Sequence, residues 1–221
     1  MSDPLPVITA FRWVPEFARG VVRDMRVRWA LEEVGQPYQV RLVDGISVKG
    51  AEHRCLQPFG QVPTYEQDGF AMFESGAILL HIARTRTGLL PDDPAQAAAA
   101  EQWVFAAMTS VEPAIQDLGL VNIFEADQPW AEARRPISEA RVRSRLADLS
   151  RRLGDRPYLE GVFTAGDLMM VCVLRGLTGT SLLADYPTLE AYVARCQARP
   201  AFRRALAAHL ADFDTTPPLA A

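Results

Sequence analysis

The chain has 221 residues, of which 49% are hydrophobic and 23% are charged, and its formal net charge is −4 at pH 7. A chain of this length can bury one large hydrophobic core or two small ones. The mild charge, without a Lys and Arg cluster among aromatic residues, excludes a nucleic-acid groove, and no apolar run approaches the ~20 residues that span a bilayer. We therefore expect a soluble protein with neither nucleic-acid nor membrane partners.

The use of cysteine and histidine indicates a reducing compartment and no metal site. Cys55, Cys172 and Cys196 are odd in number and form no Cys-x-x-Cys pair, unlike a disulfide framework. The histidines lack the spacing that is typical of zinc or iron sites. The first residues, MSDPLPVITAF, lack the basic region and apolar run of a signal peptide. We therefore expect a cytoplasmic protein without a metal ion.

The first half of the chain alternates strand and helix patterns. Asp68-Gly69 is a hairpin signal, because both residues tolerate the positive φ angles of a tight turn. The predicted elements, in chain order, are a strand at 7–12, a helix that stops at Gly35, a strand at 37–44, a short helix near 51–56, a hairpin of TYEQ (64–67) and FAMF (70–73), and a helix near Gly76. This order predicts a β-α-β unit followed by a β-β-α unit.

The second half of the chain carries helical patterns only. Residues 85–96, TRTGLLPDDPAQ, combine Gly, Pro and acidic residues without periodicity and are the best linker candidate. Helical runs are expected from 95 to about 124, at 130–153, from 164 to about 178, at 187–198 and at 200–210. We therefore predict an α/β domain over residues 1–86 and an all-helical domain over residues 95–221.

The segment FTAGDLMM (163–170) predicts the start of one of these helices. Thr164 and Asp167 stand at capping-box spacing. In this motif the Thr side chain accepts a hydrogen bond from a backbone N–H of the first turn, and the Asp side chain accepts one from the N–H of the cap residue. A carboxylate in this position is satisfied by amides and by the helix dipole. We therefore assign Asp167 a structural role.

The dipeptide Val62-Pro63 stands at the head of a predicted strand, where proline cannot donate to the ladder. An X-Pro bond adopts the cis form at a cost of only about 0.5–1 kcal/mol, and such a proline splays the preceding residue away from the sheet. Val62 then keeps backbone groups that can pair with an extended peptide. The dipeptide therefore predicts an edge that binds a peptide ligand, although each residue alone also fits an ordinary edge strand.

Glu74-Ser75 lies where the return strand becomes a helix. The Ser75 hydroxyl and the first free helical amides suit a carboxylate, and Glu74 adds a negative charge beside them. A ligand with a carboxylate and an ammonium on one carbon matches both groups. The sequence therefore predicts a small peptide ligand with an amino-acid end.

In combination these features closely resemble the glutathione S-transferase family. QPFGQVP resembles its Asn-Pro-x-Gly-x-Val-Pro loop, FESGAILLHIA its Glu-Ser-x-Ala-Ile helix start, RVRWALEEVGQPYQ its first helix and second strand, and FTAGDLMM its capping box. The resemblance covers nearly the whole chain. It implies a thioredoxin-like N-terminal domain that binds glutathione, a helical C-terminal domain that supplies the second-substrate site and dimer contacts, and a homodimer.

The resemblance also implies roles for individual residues. Val62 binds the cysteinyl backbone of glutathione, Pro63 is the cis proline, and Glu74 and Ser75 hold the γ-glutamyl end. Gln61 lies near the glycine end. The glycine carboxylate needs a cation from the loop before Pro63, for which the candidates are Lys49, His53 and Arg54.

The chain departs from the family at the position of the catalytic hydroxyl. The family places a Tyr, Ser or Cys after the first strand, whereas here Tyr38 is the only hydroxyl or thiol side chain between residues 10 and 46. A cation or helix amides also depress a thiol pKa. We take Arg19 as the first candidate, with Arg12 and Arg23 as alternatives.

Aromatic residues supply the remaining candidates. Trp13 and Phe17 are expected beside the glutathione sulfur, as an alternative to ordinary core packing. Three further residues lie at helical spacing on the predicted helix from Ala95: Trp103, Phe105 and Met108. They line the second-substrate site, belong to the helical core or form the dimer interface, and these alternatives stay open.

The predicted function is glutathione S-transferase activity, in which the glutathione thiolate is conjugated to a small hydrophobic electrophile in detoxification. A non-catalytic carrier or regulator that binds glutathione or an apolar ligand is the alternative. Isomerisation, dehalogenation and peroxide reduction share the same binding site and stay open, and Cys55 offers disulfide exchange as a further alternative. The dimer is expected to use the helix from Gly76 and the helix from Ala95.

Overall fold

The protein is described by a computed structural model that covers residues 4–215. The described residues divide into two compact units. The first unit holds the residues up to Leu89 together with those from Arg199 onward, and the second holds Leu90–Ala198. The predicted domain division into 1–86 and 95–221 stays a proposal, and this division into units differs from it in the place of the last helix.

A four-stranded sheet forms the centre of the first unit. Its strand order is β2-β1-β3-β4, with β1 parallel to β2 and antiparallel to β3. The turn between β3 and β4 has φ +53° at Asp68 and +77° at Gly69, which suits the two-residue hairpin predicted there. The strands are β1 (Val7–Phe11), β2 (Gln39–Val43), β3 (Thr64–Gln67) and β4 (Phe70–Phe73). The first-unit helices before the linker are α1 (Asp24–Glu33), α2 (Ala51–Leu56) and α3 (Ser75–Thr85).

The described residues of the second unit form helices and turns. The helices are α4 (Pro94–Ala106), α5 (Glu112–Gly119), α6 (Ala131–Leu153), α7 (Ala165–Leu174) and α8 (Pro187–Gln197). Two π-helical stretches, Ala107–Val111 and Leu120–Phe124, flank α5, so the predicted run from 95 to about 124 is helical with two wider turns. Helices α4 and α7 approach closely at Gly166, where an added Cβ would lie 2.5 Å from Cβ of Trp103.

The capping box predicted at the start of α7 is present. Asp167 is fully buried and accepts hydrogen bonds from the backbone N–H groups of Leu159 and Thr164, each at 2.9 Å. The hydroxyl of Tyr192 donates to the same carboxylate at 2.9 Å. Burial raises the pKa of Asp167 although these bonds favour its charged form. The carboxylate therefore joins α7 to α8, which is the structural role expected for it.

Helix α9 (Pro200–Ala211) follows the second unit in the chain but packs on α1 of the first unit. The ring of Phe202 meets the buried ring of Trp29 edge-on, with 4.9 Å between the centroids. Arg199 and Arg204 form ion pairs with Glu33 and Glu32 at the end of α1. Since one strip of α1 faces α9 through both apolar and charged contacts, the last helix belongs to the core of the first unit.

Over residues 4–215, no helix has the length and apolar character needed to cross a membrane.

Candidate active site

The Val62–Pro63 peptide bond is cis, as the resemblance implies. Immediately after it, the N–H of Thr64 donates to the Thr9 hydroxyl at 2.7 Å, which anchors the start of β3 to β1. The Val62 side chain packs with Val43 and Val48. Within residues 4–215, neither the N–H nor the C=O of Val62 makes a backbone hydrogen bond. A fixed residue therefore offers a donor and an acceptor to an extended ligand.

The loop before Pro63 is held by buried polar side chains. The Gln57 side-chain oxygen accepts from the N–H of Phe59 at 2.6 Å and from the N–H of Gln61 at 3.3 Å. Nε2 of the buried His53 donates to the Gln61 carbonyl at 2.7 Å. Gly60 has φ +62°, and an added Cβ would lie 2.9 Å from the Val48 carbonyl oxygen, so only glycine fits there.

The cations predicted for the glycine end of glutathione contact this same loop. The exposed Lys49 donates from Nζ to the Gly60 carbonyl at 2.8 Å. Arg54 donates to the carbonyls of Lys49 and Pro58, each at 3.0 Å, and His53 is buried. Lys49 therefore contacts Gly60, the residue before the exposed Gln61, while His53 and Arg54 stabilise the loop itself.

Helix α3 begins at Ser75, directly after Glu74. Glu74 has φ +70° and ψ +112°, a conformation that costs energy for a residue other than glycine and that occurs at ligand sites. Its side chain is exposed and makes no capping bond to the helix. The first amides of α3 have no acceptor within the helix. This turn therefore presents amide donors next to a carboxylate, the arrangement that an amino-acid end requires.

Arg26 was not among the candidates taken from the sequence. It lies on α1, is 4% exposed, and donates from a terminal nitrogen to the Ser75 hydroxyl oxygen at 3.1 Å. Ser75 itself is 3% exposed. Three arginines at positions 23, 26 and 28 were the available signal, but the segment does not distinguish a buried arginine from a solvated one.

The loop after β1 places Trp13 and Phe17 differently. Trp13 lines an almost wholly apolar cavity of about 250 Å³ at the ends of β1 and β2. Phe17 lies in the 3-10 turn Glu16–Ala18, is 52% exposed and is outside this cavity lining. The residues that line the cavity are Phe11, Arg12, Trp13, Val14, Pro15, Asp44 and Gly45. Trp13 is therefore the better placed of the two aromatic candidates to contact an apolar group.

Arg19 contacts the segment that follows α9. Its terminal nitrogen donates to the Asp214 carbonyl at 3.4 Å, and its guanidinium carbon lies 5.6 Å from the centroid of the Phe213 ring. The N–H of Asp214 donates in turn to the Arg12 carbonyl at 2.7 Å. The segment after α9 thus holds the loop that carries both arginines, and the thiol-activating role of Arg19 stays a prediction.

Tyr38 and Cys55 are the hydroxyl and thiol candidates that the sequence offered for this part of the chain. Tyr38 directly precedes β2 rather than belonging to it, and burial raises the pKa of its hydroxyl despite the nearby Arg28. Cys55 is exposed on α2.

In the second unit, Trp103 donates to Glu160 at 2.6 Å and Phe105 is 57% exposed. A role for Trp103, Phe105 and Met108 in a second-substrate site stays a prediction. Residues 4–215 contain no group of three or more His, Cys, Asp or Glu that could hold a metal ion.

Comparison with known proteins identifies the same family in sequence and structure. Residues 17–84 match the glutathione S-transferase N-terminal domain family. A maleylacetoacetate isomerase of Rhizobium meliloti is 32% identical, over 81% of this chain and 89% of that protein. A probable glutathione S-transferase of Oryza sativa is 30% identical, over 81% of this chain and 88% of that protein.

A glutathione transferase of Burkholderia graminis, solved with two glutathione molecules per subunit, has a similar structure. The TM-score is 0.80, the identity is 26%, and the match covers 91% of this chain and 87% of that one. The thioredoxin-like sheet with a mostly helical C-terminal part, predicted from the sequence, is confirmed. Together with the cis proline and the turn at Glu74, these matches show that the chain belongs to the glutathione S-transferase family.

Proposed function

We propose that this protein is a glutathione S-transferase that binds the tripeptide along Val62. The N–H and C=O of Val62, which make no backbone hydrogen bond within residues 4–215, carry the proposal, because they match the backbone of the cysteinyl residue of an extended peptide. The packing of Val62 and its anchored neighbour Thr64 supports this assignment, since a fixed edge loses little entropy when the ligand pairs with it. The glutathione bound in the Burkholderia graminis relative supports the choice of ligand.

The two ends of glutathione find matching groups on either side of Val62. The γ-glutamyl carboxylate fits the first amides of α3 and the Ser75 hydroxyl, while the ammonium fits the exposed carboxylate of Glu74. At the other end, the glycine carboxylate fits the exposed Lys49 ammonium beside Gln61. Because charge and donor type are distinct at each end, the tripeptide binds in one direction only.

The reaction is nucleophilic attack by the glutathione thiolate on a small hydrophobic electrophile. A bond forms between sulfur and the electrophilic carbon, and the leaving group departs with its bonding electrons. The chain's own residues position the peptide and favour the thiolate through positive charge or free amides of the loop after β1, with Arg19 as the first candidate. Trp13 supplies an apolar wall at the cavity it lines.

The cellular setting proposed is a cytoplasmic homodimer that acts in detoxification. Cys55, Cys172 and Cys196 form no disulfide, which is compatible with a reducing compartment. The interface is assigned to α3 and to the helical run that begins with α4, and the exposed apolar side chains of Phe105 and Phe124 in that run support it.

Calorimetry with glutathione tests the binding assignment. Ser75→Ala should weaken binding by about 1 kcal/mol or more, at least roughly fivefold, and Glu74→Ala should weaken it as well, since each removes a partner of a charged group. Thr85→Ala is a matched control at the other end of α3, where the hydroxyl bonds only to the helix. Unchanged affinity in the Ser75 and Glu74 variants would remove the assignment.

A non-catalytic carrier is the second candidate, and it is favoured by one observation: Tyr38 is the only hydroxyl or thiol side chain between residues 10 and 46. Steady-state conjugation with a generic aromatic electrophile separates the two candidates. The transferase should form the conjugate faster than glutathione does alone, and the carrier should bind glutathione without this acceleration. A second assay uses an isomerisable dicarboxylic acid as the substrate, because the Rhizobium meliloti relative is a maleylacetoacetate isomerase.

A further inference from the structure

The bond between Arg26 and Ser75 joins two buried side chains from α1 and α3. They are 49 residues apart in the sequence, and a terminal guanidinium nitrogen lies 3.1 Å from the serine oxygen. Arg26 is 4% and Ser75 3% exposed. Water therefore does not compete for the bond, and its geometry is set by helix packing.

The direction of this bond is fixed by chemistry. A guanidinium has donors only, so the Ser75 oxygen must accept. The hydroxyl proton of Ser75 is then left for another acceptor, and within residues 4–215 none is bonded to it. The neighbouring amides at the start of α3 are likewise donors without a helical acceptor, and Glu74 does not cap them. The Ser75 hydroxyl proton and the first amides of α3 are therefore hydrogen-bond donors at this turn, next to the guanidinium of Arg26.

We infer that Arg26 is a positioning residue for glutathione, and this rests on the proposed function. By donating to the Ser75 oxygen, Arg26 directs the hydroxyl proton toward the γ-glutamyl carboxylate and makes that proton a stronger donor. The effect is specific to one group of the ligand. A peptide that lacks only this carboxylate gains nothing from the Arg26–Ser75 pair.

The test compares two peptides that differ in that single group: glutathione and 4-aminobutyryl-cysteinylglycine, which keeps the amine and loses the carboxylate. The parent protein should bind glutathione at least about tenfold more tightly, the scale of a hydrogen bond to a charged group. In Arg26→Gln this ratio should fall to about threefold or less, because an amide oxygen can draw the serine proton back. Arg26→Lys, which also has donors only, should keep most of the ratio.

The double variant Arg26→Gln/Ser75→Ala measures whether the two residues act as a unit. Its glutathione affinity should lie within about twofold of that of Ser75→Ala, since Arg26 acts through the hydroxyl. Arg28→Gln is the matched control, because Arg28 is equally buried on α1 but contacts Asp24 and Asp212 instead of Ser75. It should lower stability and leave the ratio of the two affinities unchanged.

Equal weakening of both peptides by Arg26→Gln, or additive losses in the double variant, would overturn the inference and leave Arg26 a structural residue. If the Arg26→Gln protein does not fold, the test rests on Arg26→Lys. Loss of the affinity ratio between the two peptides in this variant would contradict the inference, because Lys, like Arg, has only hydrogen-bond donors. A parent that binds neither peptide contradicts the proposed function and the inference together. A parent that binds both peptides equally contradicts the inference while glutathione binding stands.

Discussion

Nδ1 of His209 lies 2.9 Å from Oδ2 of Asp24, although 185 residues separate them in the sequence. Both side chains are 1% exposed. The same carboxylate oxygen accepts from Arg28 at 2.7 Å, and Arg28 in turn binds Asp212 at 2.5 Å. One buried carboxylate at the start of α1 thus holds both a neighbouring arginine and the last helix of the chain.

Removal of this carboxylate should lower the free energy of unfolding strongly. Asp24→Ala leaves the Arg28 guanidinium and the His209 ring buried without their shared acceptor, and breaking such a pair costs about 3–5 kcal/mol. Urea denaturation measures the loss. The control is Glu32→Gln, which breaks the ion pair with the exposed Arg204 and should cost less than about 1 kcal/mol. Similar losses in the two variants would show that α9 is held by its apolar contacts instead.

Asp117 should contribute to the acid sensitivity of the second unit. The hydrogen bond from Ser138 and the ion pair with Arg134 lower the pKa of this carboxyl below its usual value. Its stabilising contribution is therefore present above about pH 4 and is lost as the pH falls through the folded-state pKa. Asp117→Asn should lose less stability than the parent between pH 7 and pH 3 in urea titrations.

Ser138→Ala is the companion variant, because it removes the largest cause of the lowered pKa while Arg134 stays in place. Its pH dependence should lie between those of the parent and Asp117→Asn. An Asp117→Asn protein whose stability falls as steeply with acid as that of the parent would exclude Asp117 as a contributor.

The thiol of bound glutathione should have a pKa well below 8.5, the usual value of a free cysteine thiol, if positive charge or free amides replace the missing hydroxyl. Titration of the thiolate absorbance of the bound ligand measures it. Tyr38→Phe should leave this pKa unchanged, and Arg19→Ala should raise it. Arg41→Ala is the control, since Arg41 is an exposed arginine of the first unit that is paired with Glu66.

The outcomes of this titration separate the candidates. A normal thiol pKa in the parent protein would favour the carrier. A lowered pKa that persists in Arg19→Ala would transfer the role to Arg12, Arg23 or the backbone amides of the loop.

The protein should be a homodimer in solution. Exposed apolar side chains such as Phe124, at 67%, and Phe105, at 57%, lose their contact with water in an interface. Light scattering at micromolar concentration should report twice the mass of one chain. A mass of one chain under these conditions would contradict the prediction. Phe124→Ser should shift the equilibrium toward the monomer if this residue lies in the interface.

Features encoded by neighbouring residues could be predicted from the sequence. Strand and helix periods, the Asp68-Gly69 turn and the capping box of Thr164 and Asp167 depend on local φ and ψ preferences and on bonds within a few residues, and the structure contains each of them. The helix start at Ser75 followed from the local pattern for the same reason, and the cis bond at Pro63 was implied by the family resemblance of its motif.

Features that depend on distant partners were decided by the tertiary structure. Arg26 is buried because α1 packs on α3, where the Ser75 oxygen accepts its proton, and nothing in the neighbouring residues specifies that partner. Helix α9 belongs to the first unit through contacts with α1 that are distant in the sequence, among them His209 with Asp24 and Phe202 with Trp29. Trp13 lines a cavity while Phe17 is exposed, since burial of an aromatic side chain depends on which elements pack around it. Local composition determines which elements form, and long-range packing determines which of their polar groups become a site.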